Sequence, residues 1–222
     1  MSDSVYFLHI PKTGGRFIRN NIFRYLGQHL SNIGIDAKTK DIQVSHKGIS
    51  SLKDDQYSFS FFRDPVKRMV SHYLFFNAIF SEDFSVEDKN IMMNWIESES
   101  NLYNYQSKYL SYYDQNLYEN FNHIPFPETD IDDVIYNISR LNRFHRTSDI
   151  NNNLVLSIFN DIQDYLELPE KVLDRPIIVV GTEINVASEN MYSLLSESDK
   201  QLIAELNSVD MEIYNTDTLF TF

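Results

Sequence analysis

Apolar positions along this chain alternate between short unbroken runs and stripes with helical spacing. Val5 to Ile10 (VYFLHI) is short, apolar and ended by Pro11, the pattern of a buried strand. After a glycine turn, Phe17, Ile18, Ile22, Leu26 and Leu30 recur at helical spacing. They predict a helix over Arg16–Leu30, with Gly27 weakening its last turns. Residues 31–41 (SNIGIDAKTKD) read as a loop, and IQVS, 42–45, as a short strand followed by His46, Lys47 and Gly48. Tyr57–Phe62 (YSFSFF) alternates apolar and small residues and predicts another strand. Asp64 is then a good N-cap and Pro65 a good first helical residue. That helix should run to about Phe80, burying Val66, Met69, Val70, Tyr73 and Phe76.

Further helices are predicted over Val86–Glu97, Leu102–Leu110, Ile131–Leu141 and Leu154–Leu166. Arg175–Glu183 (RPIIVVGTE) is an unbroken β-branched run, as expected of a strand covered on both faces. Closing helices follow over Asn185–Leu195 and Ser198–Asn207, with a last turn or two at Val209–Tyr214. FNHIPFPETD, 121–130, reads as a long loop, more a lid or insertion than a domain boundary. Strands alternating with helices imply an α/β fold with a parallel sheet and crossover helices, in a single domain over 1–222. Ligands of such sheets sit at the carboxyl ends of the strands. Both HIPKTGG and FFRDP are strand-to-helix turns, which places them at that edge.

Composition narrows the classes. The chain has 222 residues, 42% hydrophobic and 14% aromatic, with mean hydropathy −0.35, a globular composition. No apolar run approaches the ~18 residues of a membrane span. The N-terminal MSDSVYFLHI lacks a basic leader and reads as a strand, not a signal peptide. There is no Cys, which removes disulfides, thiolate metal sites and cysteine nucleophiles, and fits a cytoplasmic protein. The net charge of −13 argues against nucleic acid and anionic membranes as partners. It leaves room for one small basic pocket, because screening at physiological salt acts over about 8 Å.

Two segments carry candidate chemistry. In the first, Lys12, Thr13, Gly14 and Gly15 occupy a strand–helix turn, where glycines let backbone N–H groups approach an anion and the helix dipole favours it. Alone, the string reads more simply as a tight turn. It is not an ordinary P-loop, in which the lysine follows the last glycine. In the second, FFRDPVKRMVSHY, Arg63 ends a strand, and Arg68 and Ser71 share a helix face one turn apart. Asp64 and Arg68 are spaced to pair, and Arg63 with Ser71 could grip a phosphate. Alone, this is a capped helix with ordinary ion pairs.

Together the segments resemble the sulfotransferases that use 3′-phosphoadenosine 5′-phosphosulfate (PAPS), in the carbohydrate branch related to heparan sulfate 2-O-sulfotransferase. HIPKTGG resembles that branch's 5′-phosphosulfate loop. FRDPVKRMVSHY matches its 3′-phosphate motif R-D-P-x-x-R-x-x-S-x-Y. NYQSKYLS, 104–111, is similar to a later N-x-Q-T-R-x-L stretch, and VVGTEINVASENMYSLL to a late V-G-x-x-E segment.

The resemblance implies a P-loop-like three-layer fold with a central, mainly parallel sheet flanked by helices. It implies PAPS as donor and no metal. Lys12 would contact the bridging oxygen and help the phosphate leave. Thr13, Gly14 and Gly15 would cradle the 5′-phosphate, and Arg63 and Ser71 would hold the 3′-phosphate. Asp64, Arg68 and Tyr73 would shape and cap the helix. Arg16 departs from the usual Thr or Ser. Its place in the first helical turn makes a contact with the phosphosulfate the expectation.

A hydroxyl acceptor needs a general base, and His46 in VSHKGIS is the candidate. The resembling branch has a histidine between the two PAPS motifs, with different flanks. His9, inside the first strand, is expected to be structural, and His72 at most a neighbour of the site. His29, His123 and His145 have no context that raises them. The acceptor is expected to be a carbohydrate or glycoconjugate, neutral or lightly charged given the acidity of the chain. The aromatics of Asn101–Tyr118 are candidates to stack on sugar faces, though core packing suits most of them. An ATP-dependent small-molecule kinase, or a non-catalytic nucleotide- or glycan-binding domain, are the alternatives from the same residues.

Overall fold

The computed structural model describes residues 4–32, 41–46, 48–111, 129–168 and 186–220. Among the described residues, four strands form one parallel sheet in the order β2-β1-β3-β4. They are β1 (Ser4–Leu8), β2 (Asp41–Ser45), β3 (Tyr57–Phe62) and β4 (Arg143–Arg146). Leu8 of β1 pairs with Ser45 on one side and Ser60 on the other, so these three strands end near one edge.

Helices cover both faces. After β1 come α1 (Gly15–Ile18), a π-helical turn (Arg19–Phe23) and α2 (Arg24–Asn32). After β3 come α3 (Pro65–Phe76), α4 (Val86–Ser98), α5 (Tyr105–Ser111) and α6 (Ile131–Ser139). After β4 come α7 (Asn152–Tyr165), α8 (Val186–Ser193), α9 (Glu197–Leu206) and α10 (Ser208–Asn215). This is the expected three-layer α/β architecture.

The period-2 alternation of each strand divides the core. Val5 and Phe7 join Phe59 and Phe61 in a cluster with Ile18, Ile22, Leu26 and the α7 residues Val155, Ile158 and Ile162. Tyr6, Leu8 and Phe62 face the other way, against α3 to α6 and α8 to α10. The small residues of YSFSFF have distinct uses: Ser60 Oγ donates to Leu8 O at 2.8 Å, and Ser58 Oγ to Asn142 Oδ1 at 3.1 Å. Both hydroxyls are fully buried yet satisfied, which removes the cost of burying them.

Several boundaries differ from the sequence expectation. The first helix is interrupted by the π turn, where Asn21 Nδ2 donates back to Phe17 O at 2.9 Å and competes with the regular ladder. α3 stops at Phe76 instead of Phe80, because Ala78 takes a left-handed φ of 51°. Phe76 is accordingly 47% exposed, not core. β4 was not predicted, since RFHR has one apolar residue. Its arginines are neutralised laterally: Arg143 pairs with Asp161 at 2.7 Å, and Arg146 with Asp217 at 2.7 Å and with Tyr214 O at 2.6 Å. The expected strand over 175–183, the V-G-x-x-E segment, Lys47, His123 and most of the 121–130 loop lie outside the described residues, as does the side chain of His29. Among the described residues no helix is long and apolar enough to cross a membrane.

Candidate functional site

The turn after β1 is built from its own strained backbone. Thr13 is fully buried, and its Oγ1 donates to Ile10 O at 2.7 Å, which closes the turn. Lys12 has φ 70° and Gly14 φ 85°, both left-handed. For the lysine that conformation costs about 1–3 kcal/mol, strain of the kind that persists where surroundings over-determine it. At Gly15 any side chain would force the His9 ring to move, since a Cβ would stand 1.7 Å from His9 Nε2. Gly14 is the N-cap of α1 and no side chain caps that start, which leaves its opening N–H groups to meet an anion.

The Lys12 ammonium rests over the Phe75 ring, 4.4 Å from its centre. Burial, then the charges of Arg63 and Arg16, push its pKa down to about 8. Arg63 follows β3, and its Nη1 donates to Lys12 O at 3.2 Å. The two motifs therefore meet through a direct bond. Burial also pulls the Arg63 pKa below its ordinary value. Arg16 is exposed in the first turn of α1, and its charge reaches Lys12.

The second motif folds as expected at its cap and differently beyond it. Asp64 accepts from Lys67 N at 2.9 Å, and Pro65 opens α3. Asp64 and Arg68 do not pair. Arg68 is fully buried and turns towards α5, donating from Nη2 to Leu102 O at 3.0 Å and from Nη1 to His72 Nδ1 at 3.2 Å. Its guanidinium also lies 4.9 Å from the Tyr105 ring centre. The side chain that was expected to shape the helix thus anchors its neighbour. Ser71 is 2% exposed on α3, and the structure joins it to Arg63 by no hydrogen bond. Tyr73 packs in the core against Trp95, ring centres 5.3 Å apart.

His46 extends the register of β2 beside the end of β1. Its Nδ1 lies 3.0 Å from His9 O, and the two rings are 4.3 Å apart. A carbonyl only accepts, so Nδ1 carries the proton and the lone pair of the neutral ring sits on Nε2. Burial lowers the His46 pKa below its ordinary 6.5, partly opposed by the bond to the His9 carbonyl. Its ring is neutral at pH 7.

His9 is more than a strand residue. It lies past the end of β1, stacks on Phe7 with ring centres 5.4 Å apart, and touches both Gly15 and His46. Burial, with His46, Arg19 and Lys12 adding positive potential, lowers its pKa to about 3. Reasoning from sequence missed this, and missed Arg19, whose charge also lowers His46. It also gave no role to Gln106, whose carboxamide bonds both backbone polar groups of Arg63 at 2.8 Å. The signal for Gln106 lay in NYQSKYLS, whose likeness to a motif came without a function.

Among the described residues no group of three or more His, Asp or Glu side chains is arranged to hold a metal ion. No curated protein and no solved structure matches the chain. The model of the sulfotransferase family, in contrast, matches residues 2–217, with both the glycine turn and the Arg63 segment inside the match. The chain belongs to the sulfotransferase family.

Proposed function

We propose that the protein transfers the sulfuryl group of PAPS to a hydroxyl of a neutral or lightly charged carbohydrate or glycoconjugate. The observation that carries this reading is the bond from Arg63 Nη1 to Lys12 O. It brings together a lysine–glycine turn suited to one phosphate and an arginine suited to another. The donor set fits a nucleotide with two separated anionic groups: an uncapped helix start with Lys12 for one, Arg63 for the other.

Bound PAPS would supply a sulfuryl group already attached to a good leaving phosphate. In this reading the backbone from Thr13 to Gly15 cradles the 5′-phosphate, and Arg16 adds a charge at the same helix start. Lys12 stabilises negative charge that develops on the bridging oxygen. Arg63 and Ser71 hold the 3′-phosphate, Ser71 from its buried place on α3. His46 Nε2 accepts the proton of the acceptor hydroxyl, its tautomer set by the His9 carbonyl. Catalysis then rests on positioning and electrostatics, as in phosphoryl transfer.

The acceptor class rests on charge and on aromatic surface. A chain of net charge −13 is poorly suited to a long polyanion. Of the aromatics first considered for sugar stacking, Tyr105 and Tyr109 are core, 2% and 1% exposed, and Tyr103 is half-buried against it. Phe75 is 56% exposed and contacts Lys12, so it offers an apolar face beside the site instead.

Two measurements test the reading. Millimolar adenosine 3′,5′-bisphosphate should raise the melting temperature by mass action, and no shift would overturn the assignment. A labelled-sulfate transfer screen over glycans, lipids and small alcohols, with Lys12→Ala as control, should give a sulfated sugar product. ATP turnover with magnesium in its place would favour a kinase.

A further inference from the structure

We infer that Gln106 is the positioning residue of Arg63, holding it for the 3′-phosphate. The inference rests on the functional reading above, which assigns Gln106 nothing. Arg63 stands just past the last residue of β3 and before the cap of α3. A residue there has lost its sheet partners and has not entered the helix, so its backbone N–H and C=O need new ones. Gln106 supplies both from one side chain: Oε1 accepts from Arg63 N at 2.8 Å, and Nε2 donates to Arg63 O at 2.8 Å. The carboxamide acts as one more peptide unit of the sheet. It fixes the residue from which the guanidinium reaches Lys12 O.

Gln106 is itself held rigidly. It is fully buried in the first turn of α5. Its backbone N donates to Asp210 Oδ2 at 3.1 Å, and Ser107 N donates to Asp210 Oδ1 at 2.8 Å. Ser107 Oγ bonds the same carboxylate. A buried carboxylate from α10 therefore caps the start of α5, where the helix dipole favours negative charge. The arrangement is reciprocal. Asn104, at a left-handed φ of 50°, accepts on Oδ1 from Val209 N at 3.0 Å and Asp210 N at 3.2 Å. Asn104 N donates to Asn207 Oδ1 at 3.1 Å. The first turns of α5 and α10 cap each other, and Gln106 projects from that platform to Arg63.

The test compares two ligands on the full chain. Gln106→Met keeps the length and burial of the side chain and removes both bonds to Arg63. Its affinity for adenosine 3′,5′-bisphosphate should fall about 30-fold, the equivalent of two ordinary hydrogen bonds. Its affinity for adenosine 5′-phosphosulfate, which has no 3′-phosphate, should stay within about twofold of the wild type. Arg63→Ala should show the same selectivity, and the double variant should lose no more than Arg63→Ala alone. Equal loss for both ligands, or additive losses, overturns the inference by showing a merely structural glutamine. If Gln106→Met does not fold, Gln106→Glu retains the acceptor for Arg63 N, loses the donor to Arg63 O, and should show the same selectivity. Wild-type protein that binds no bisphosphate overturns the functional reading itself. Bisphosphate binding that Gln106 variants leave unchanged overturns this inference alone.

Discussion

The His9 ring lies directly against the Cα of Gly15, so that a methyl group on that carbon would stand 1.7 Å from Nε2. The ring has little room to retreat, being 9% exposed and stacked on Phe7. Gly15→Ala should therefore destabilise the protein by about 1–3 kcal/mol, the usual cost of overpacking. It should also displace the opening turn of α1 and weaken bisphosphate binding. Combining it with His9→Ala removes the obstructing ring and should recover part of the binding. Thermal melts and titration calorimetry on Gly15→Ala, His9→Ala and the double variant check this, and a Gly15→Ala protein as stable as wild type would contradict the contact.

Lys12 titrates well below an ordinary lysine because burial and two guanidinium groups disfavour its charged form. Its pKa in the nucleotide-free protein is about 8. An anionic ligand binds the charged amine better, so affinity should be flat below that pH and fall as pH rises through it. The sign reverses for stability. An unfolded lysine keeps its proton to about 10.5, so folding becomes more favourable between about 8 and that value. Lys12→Arg keeps its charge throughout and should abolish the fall in affinity. Bisphosphate dissociation constants measured across pH 7 to 10 distinguish the two proteins.

For His46, the direction of the shift sets which limb of the rate profile is affected. Its pKa lies below 6.5 because burial outweighs the bond to His9 O. A base must be unprotonated, so kcat/KM should rise with pH through a value under 6.5 and then level off. His46→Ala should lower kcat by about 10²–10⁴ and remove that limb. Nucleotide affinity should stay near the wild-type value. Full activity in His46→Ala would end its assignment as base.

The elements near the site were legible to unequal degrees. β1, β3 and the start of α3 stood out because their signals are local: unbroken apolar runs, alternation, and an Asp-Pro cap. β4 was invisible because RFHR is polar by composition, and only Asp161, Asp217 and the Tyr214 carbonyl make its arginines compatible with a sheet. Asp64 and Arg68 had the spacing to pair. The buried carbonyl of Leu102 and the Tyr105 ring drew Arg68 inward instead, towards partners over thirty residues away in the chain.

Local rules were enough to place Lys12, the two glycines after Thr13, Arg63 and His46 at turns following strands, and so at one edge of a parallel sheet. Each of those inferences depends on residues within a few positions of one another, where backbone geometry is set by neighbours. Folding in three dimensions alone settled how they meet. The Arg63 bond to the Lys12 carbonyl, the His9 ring under Gly15 and over His46, and the Gln106 carboxamide on the Arg63 backbone all join different segments. Such contacts carry no periodicity and no local spacing. They arise because buried polar groups must find partners wherever packing brings them.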